Sequence, residues 1–133
     1  MKPIRFIVIG KPVPKQSFRY SKHGNHQPQR VTDWQNAVAW EARIAMSGND
    51  PITGPVAMRC VFVLPNNRRV DIDNLNKAIL DACNGIVFKD DHQVMNLHLI
   101  KRVRETPGVY VEVYPGELLP LMEKLSCPEF VVT

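Results

Sequence analysis

The sequence predicts an α+β protein: a small mixed β-sheet with two main helices packed on one face, in a single domain covering residues 1–133. Short β-branched runs recur along the chain, two longer stretches between them carry apolar residues at helical spacing, and the resulting order is β-α-β-α-β-β. That order suits helices gathered on one face of a mixed sheet. With 133 residues, 44% of them apolar and 23% charged, the chain has the size and composition of one globular domain with a modest core. No apolar run approaches the roughly 20 residues that span a bilayer. Arg5 interrupts the opening apolar stretch too early for a signal peptide, so a cytoplasmic protein without a membrane segment is expected.

Residues 4–11 form the first expected strand, closed by Gly10 and Pro12. Residues 12–30 carry Pro12, Pro14, Gly24 and Pro28 without periodicity and read as a long loop, a kind that is often functional. Thr32 or Asp33 is the expected cap of a helix running to Ser47. Its apolar surface is broad, with Trp34 and Trp40 both assigned to the core, and residues 48–51 end it. Residues 56–64 are apolar at odd and even positions alike, which predicts a strand buried on both faces or in a dimer. A second helix has Asp73 as its expected cap, Leu75, Ala78, Ile79, Ala82 and Ile86 at helical spacing, and Gly85 as its stop. Residues 97–103 and 109–114 read as an antiparallel hairpin, and residues 117–125 as a short terminal helix.

Charge is distributed unevenly. The net charge is +4, yet residues 1–32 hold seven bases and no acid, leaving ten of the 17 bases against all 13 acids. A basic arm on an acidic body predicts that the arm meets polyanion while the body holds cations. Within the arm, Phe18 and Tyr20 are interleaved with Arg19 and Lys22, which suits stacking on exposed bases. The three cysteines, Cys60, Cys83 and Cys127, are far apart and form no Cys-x-x-Cys pair. They exclude a disulfide framework and a structural zinc site, and Cys60 and Cys83 read as small core residues.

The chemistry is concentrated in Asp71-Ile72-Asp73-Asn74-Leu75-Asn76-Lys77 and in Lys89-Asp90-Asp91-His92. Asp71 and Asp73 flank the point where extended chain becomes helix, and Asp73, Lys77 and Asp81 then share one helix face. Each feature has a plainer explanation: acids favour a helix start, Asp73 and Lys77 have the spacing of an ordinary ion pair, and Asp90-Asp91 suits a turn. Leu75 and Asn76 break the pattern of a calcium loop. His23 and His26 read as polar loop residues, His98 as structural, and His92 as a residue beside the acids able to touch a phosphate or shuttle a proton. Carboxylates beside a lysine, joined to a basic arm, predict a magnesium site for phosphate chemistry. The combination points to a nuclease. A non-catalytic DNA-binding module, a flap or branched-DNA nuclease on the same scaffold, and a phosphohydrolase of small esters are the competing classes.

The run Arg68-Arg69-Val70-Asp71-Ile72-Asp73-Asn74-Leu75-Asn76-Lys77-Ala78-Ile79-Leu80-Asp81-Ala82, followed by Phe88-Lys89-Asp90-Asp91-His92-Gln93-Val94, resembles the RusA family of Holliday junction resolvases. The likeness is dense over residues 68–94, and Gly10-Lys11-Pro12-Val13-Pro14-Lys15 resembles phage and prophage members. It implies a homodimeric endodeoxyribonuclease that nicks four-way junctions symmetrically with Mg²⁺, Mn²⁺ being able to substitute, and without a small-molecule cofactor. By position, Asp71, Asp73 and Asp91 would bind metal with Asp90 beside them, and Lys77 would be the catalytic lysine. Lys11, Lys15, Arg19, Lys22, Arg30, Arg68 and Arg69 are the expected DNA contacts. Val70 departs from members that carry a further base there, so junction affinity or sequence preference is expected to differ.

Overall fold

A computed structural model describes residues 2–15, 27–67 and 69–120. Four strands, β1 (Ile4–Ile9), β2 (Val56–Leu64), β3 (Val94–Val103) and β4 (Gly108–Pro115), form one mixed sheet in the order β1-β4-β2-β3. Helices α1 (Gln29–Met46) and α2 (Ile72–Cys83) lie on one face of it. This is the α+β arrangement expected.

The packing follows from strand alternation. Ile4, Phe6 and Val8 of β1, Met58, Cys60 and Phe62 of β2, and Val109, Val111 and Val113 of β4 meet Trp34, Val38 and Ala42 of α1 and Leu75, Ala78, Ile79 and Ala82 of α2. On the opposite face, Val61, Val63 and Ile100 form a smaller cluster with Tyr110 against it. Every residue of β2 is therefore buried, as its two-sided apolar sequence predicts. Cys60 and Cys83 are fully buried, and burial pushes the Cys83 thiol up to about 12.

Several expectations need correction. Helix α1 begins at Gln29, with Pro28 at its N-cap, so it starts a turn before Thr32 and Asp33. Proline's fixed φ suits this position, and the N–H groups of Val31 and Thr32 bond back to its carbonyl. The buried stripe of α1 is Val31, Trp34, Val38, Ala42 and Met46, which leaves Trp40 64% exposed and Ile44 58% exposed. Only Trp34 belongs to the core. Asp71, rather than Asp73, occupies the N-cap of α2. Residues 117–120 are not helical, and residues 121–133 lie outside the described residues.

The largest correction concerns β3 and β4, which do not pair. β2 lies between them, parallel to β3 and antiparallel to β4. The turn at residues 104–107 crosses the end of β2, where the Arg104 N–H donates to the Leu64 carbonyl at 3.0 Å. The parallel β2–β3 pair requires a crossover, and α2 supplies it. β2 therefore enters α2 at one end of the sheet, and the chain returns into β3 at the other.

Candidate active site

Helix α2 is anchored by what it buries. Val70, Leu75, Ala78 and Ile79 all lie in the main core. Val70 and Leu75 stand before the N-cap and at the fourth helical position, the arrangement of a hydrophobic staple that fixes how the chain enters a helix. That accounts for an apolar residue directly before Asp71. Asn76 is also buried, and the Cys60 thiol lies 3.6 Å from its side-chain oxygen. With this stripe turned inward, Asp71, Asp73 and Lys77 are left facing solvent.

A polar chain runs along the exposed first turn. Asn74 Nδ2 donates to Asp71 Oδ2 at 3.4 Å, and Lys77 Nζ donates to Asn74 Oδ1 at 3.5 Å. The ion pair expected between Asp73 and Lys77 is not made; Asn74 lies between the lysine and Asp71 instead. The Asp73 carboxylate has no side-chain partner among the described residues. Two solvent-facing carboxylates at a helix start suit Mg²⁺, which takes one or two such groups and fills its shell with water and phosphate oxygens.

Two lysines from other elements brace this turn. Lys101 of β3 donates to the Val70 carbonyl at 3.0 Å, tying the segment just before Asp71 to the sheet. The sequence carried a signal for it: Lys101 breaks the apolar series Leu97, Leu99 and Val103 on the helix-facing side of β3. Lys15, at the base of the basic arm, donates its backbone N–H to the Asn74 carbonyl at 3.0 Å and pairs through Nζ with Asp81. Lys15 is thus docked on the acidic helix. Lys11, Arg30 and Arg69 are exposed, while Arg19, Lys22, Arg68, Phe18, Tyr20, His23 and His26 lie outside the described residues.

The second acidic pair sits elsewhere. Asp91–Gln93 form a short 3-10 turn that leads into β3 beside Val56, the first residue of β2. Gln93 holds it by donating to the carbonyls of Ile52 and Gly54 at 2.8 and 2.9 Å and accepting from the Asp90 N–H at 3.0 Å. His92 Nδ1 lies 2.6 Å from Asp90 Oδ2, and this contact holds the Asp90 carboxyl below the usual carboxylate range. Asp91 is half-buried beside them. A cavity of about 450 Å³ opens here between Thr53, Pro55, Lys89, His92 and Met95.

The chain does not bring its two acidic groups together. Lys101, which touches the residue before Asp71, lies near the end of β3, whereas Asp91 lies just before its start. Ten residues of strand at about 3.3 Å each separate the two ends by roughly 30 Å. Among the described residues no three acid, histidine or cysteine side chains converge as a metal cluster. His98, expected to be structural, accepts a hydrogen bond from Arg59 Nε at 3.3 Å on the face of the sheet away from the helices.

The profile of the family described as Endodeoxyribonuclease RusA matches residues 10–114, and the chain belongs to that family. It is 30% identical to a crossover junction endodeoxyribonuclease RusA of Aquifex aeolicus, over 86% of this chain and 94% of the relative. The protein of that name in Escherichia coli K12 is 31% identical over 70% of this chain and 80% of its own length. Protein YqaN of Bacillus subtilis is 30% identical, covering 85% of this chain and 96% of the relative.

Proposed function

We propose that this chain is a homodimeric, Mg²⁺-dependent endonuclease that resolves four-way DNA junctions by paired, symmetrical phosphodiester hydrolysis in recombination and repair, with Mn²⁺ able to replace Mg²⁺. The observation that carries this reading is the exposed Asp71–Asn74–Lys77 turn, held on a buried helix stripe, in a chain of the RusA family. Asp71 and Asp73 would hold the metal at the start of α2; Asp91, with Asp90 beside it, lies at the other end of β3 in its own chain and would reach such a site only from the second chain of the homodimer. When bound, the ion supplies a polarised phosphate oxygen and a water acidic enough to attack near neutral pH.

The chain's own groups do the rest. Lys77 places a fixed cation where charge develops on the phosphate and the leaving oxygen. Asn74 holds both Asp71 and Lys77 by hydrogen bonds, which keeps carboxylate and ammonium in one frame. Lys101, through the Val70 carbonyl, limits movement of the chain that presents Asp71. Lys11, Lys15, Arg19, Lys22, Arg30, Arg68 and Arg69 would contact backbone phosphates, giving salt-sensitive affinity with little sequence information. The working compartment is the cytoplasm, where the DNA substrate is met.

Asp73→Asn tests this reading. The substitution is nearly isosteric and exposed, so folding and junction binding should persist while cleavage falls to background in Mg²⁺. Loss of binding together with loss of fold, read by gel shift and circular dichroism, would instead make Asp73 a structural residue.

A further inference from the structure

Two acids on α2 stand at pairing distance from Lys77: Asp73 four residues before it and Asp81 four residues after. Among the described residues Lys77 bonds to neither carboxylate. Its ammonium is turned to Asn74 Oδ1, and so toward Asp71. Asp81 is the acid that the proposed metal site leaves unused, and it is the one placed to draw Lys77 away. Side chains on a helix lean toward its N-terminus, which tilts Asp81 back over Lys77. Its side chain is only 33% exposed, so solvent and salt screen it less than an open carboxylate.

Asp81 holds Lys15 instead, a residue 66 positions earlier. The segment that delivers Lys15 is firmly set. Pro12 is buried, Val13 packs against the main core, and Pro14 has its φ fixed by its ring. The Lys15 backbone N–H donates to the Asn74 carbonyl at 3.0 Å. Asn74 and Asp81 are seven residues apart and lie on one stripe of the helix. Lys15 therefore spans two turns of α2, with its backbone at one end, its ammonium at the other and Lys77 between.

We infer that Lys15 is a positioning residue for cleavage: by occupying Asp81 it keeps Lys77 turned to Asn74 and the Asp71 end of the helix. Without Lys15, Asp81 is open to Lys77 at the spacing of an ordinary helical ion pair, and the cation is drawn one turn away from the metal-binding end. This role is separate from any contact that Lys15 makes with a phosphate.

The inference rests on the reading of Lys77 as the cation that meets developing charge, and its test separates the two. Lys15→Met keeps the aliphatic stem and removes the ammonium. Single-turnover cleavage of saturating four-way junction in Mg²⁺ should then fall about three-fold, the scale of one helical ion pair in a partly sheltered setting. Asp81→Asn alone should leave the rate near that of the wild type, and Asp81→Asn added to Lys15→Met should restore it. If Lys15 serves only as a phosphate contact, the second substitution restores nothing; if Asp81 itself holds the metal, Asp81→Asn alone abolishes cleavage. Either result overturns the inference.

The position of Lys77 is read without cleavage by NMR. A nuclear Overhauser contact between the Hε protons of Lys77 and the Hβ protons of Asp81 should appear in Lys15→Met and not in the wild type. Its absence from Lys15→Met overturns the inference. A wild type that cuts no junction, with that contact appearing in Lys15→Met, would overturn the nuclease reading and sustain the hold of Lys15 on Lys77. Wild-type cutting with neither the contact nor the restored rate would overturn the inference alone.

Discussion

At the residue scale, Lys77 is exposed alongside Asp71 and Asp73, and the consequences of changing it should be catalytic. Replacing Lys77 with Met would remove the cation proposed to meet developing charge, while its buried neighbours Asn76 and Ala78 stay in place. Junction cleavage should fall roughly 10²-fold or more, with junction affinity changed only a few-fold; single-turnover kinetics against a gel-shift titration checks the split. The two described cysteines behave in the opposite way. Burial raises both thiols, Cys83 to about 12, so neither provides thiolate at pH 8. Disulfide-exchange reagents should therefore modify them only as fast as the protein unfolds, and labelling kinetics across a urea series measures this. Asp71, Asp73 and Lys77 were legible in the sequence because spacing on a helix fixes their side. Lys101 was not singled out, because its role depends on a carbonyl 31 positions away that only the sheet brings near.

At the level of elements, β2 was legible from its sequence and the β3–β4 pairing was not. An apolar run on both faces must be interior, and β2 is. A short polar turn between two strands reads as a hairpin, but turn chemistry is local, and the choice of neighbour is made by burial. β2 and β4 can both be covered on two faces, whereas β3 is largely exposed, so β3 is driven to the edge and β2 is inserted between it and β4. The same sheet buries a charge pair on its far face. Arg59 and Glu112, both nearly inaccessible, meet at 3.5 Å, with Arg5 and Tyr114 also contacting Glu112. Removing one partner leaves the other charge buried and unpaired, so Glu112→Ala should cost about 3–5 kcal/mol. Denaturant unfolding should register that loss, in contrast to Asp73→Asn, which should leave the midpoint nearly unchanged.

For the whole molecule, the placement of charge is the main determinant. Lys15, within the basic arm, is fastened to α2 through the Asn74 carbonyl and Asp81, on the helix that also carries Asp73. Junction affinity should fall steeply with salt, and Lys11→Ala or Arg30→Ala should each reduce the slope of log K against log salt by about one. The sequence alone gave no way to see that the aspartates on one chain are held apart. Helix length and strand direction decide that, and both emerge only once β3 is placed parallel to β2.

The most direct measurement is cleavage of a synthetic mobile four-way junction beside matched duplex and flap substrates, in Mg²⁺ and in EDTA. Paired nicks at symmetrical positions in the junction, present with Mg²⁺ and absent with EDTA, are the predicted result. Tight binding of the junction with no cleavage in Mg²⁺ or Mn²⁺, or equal cutting of linear duplex, would contradict it.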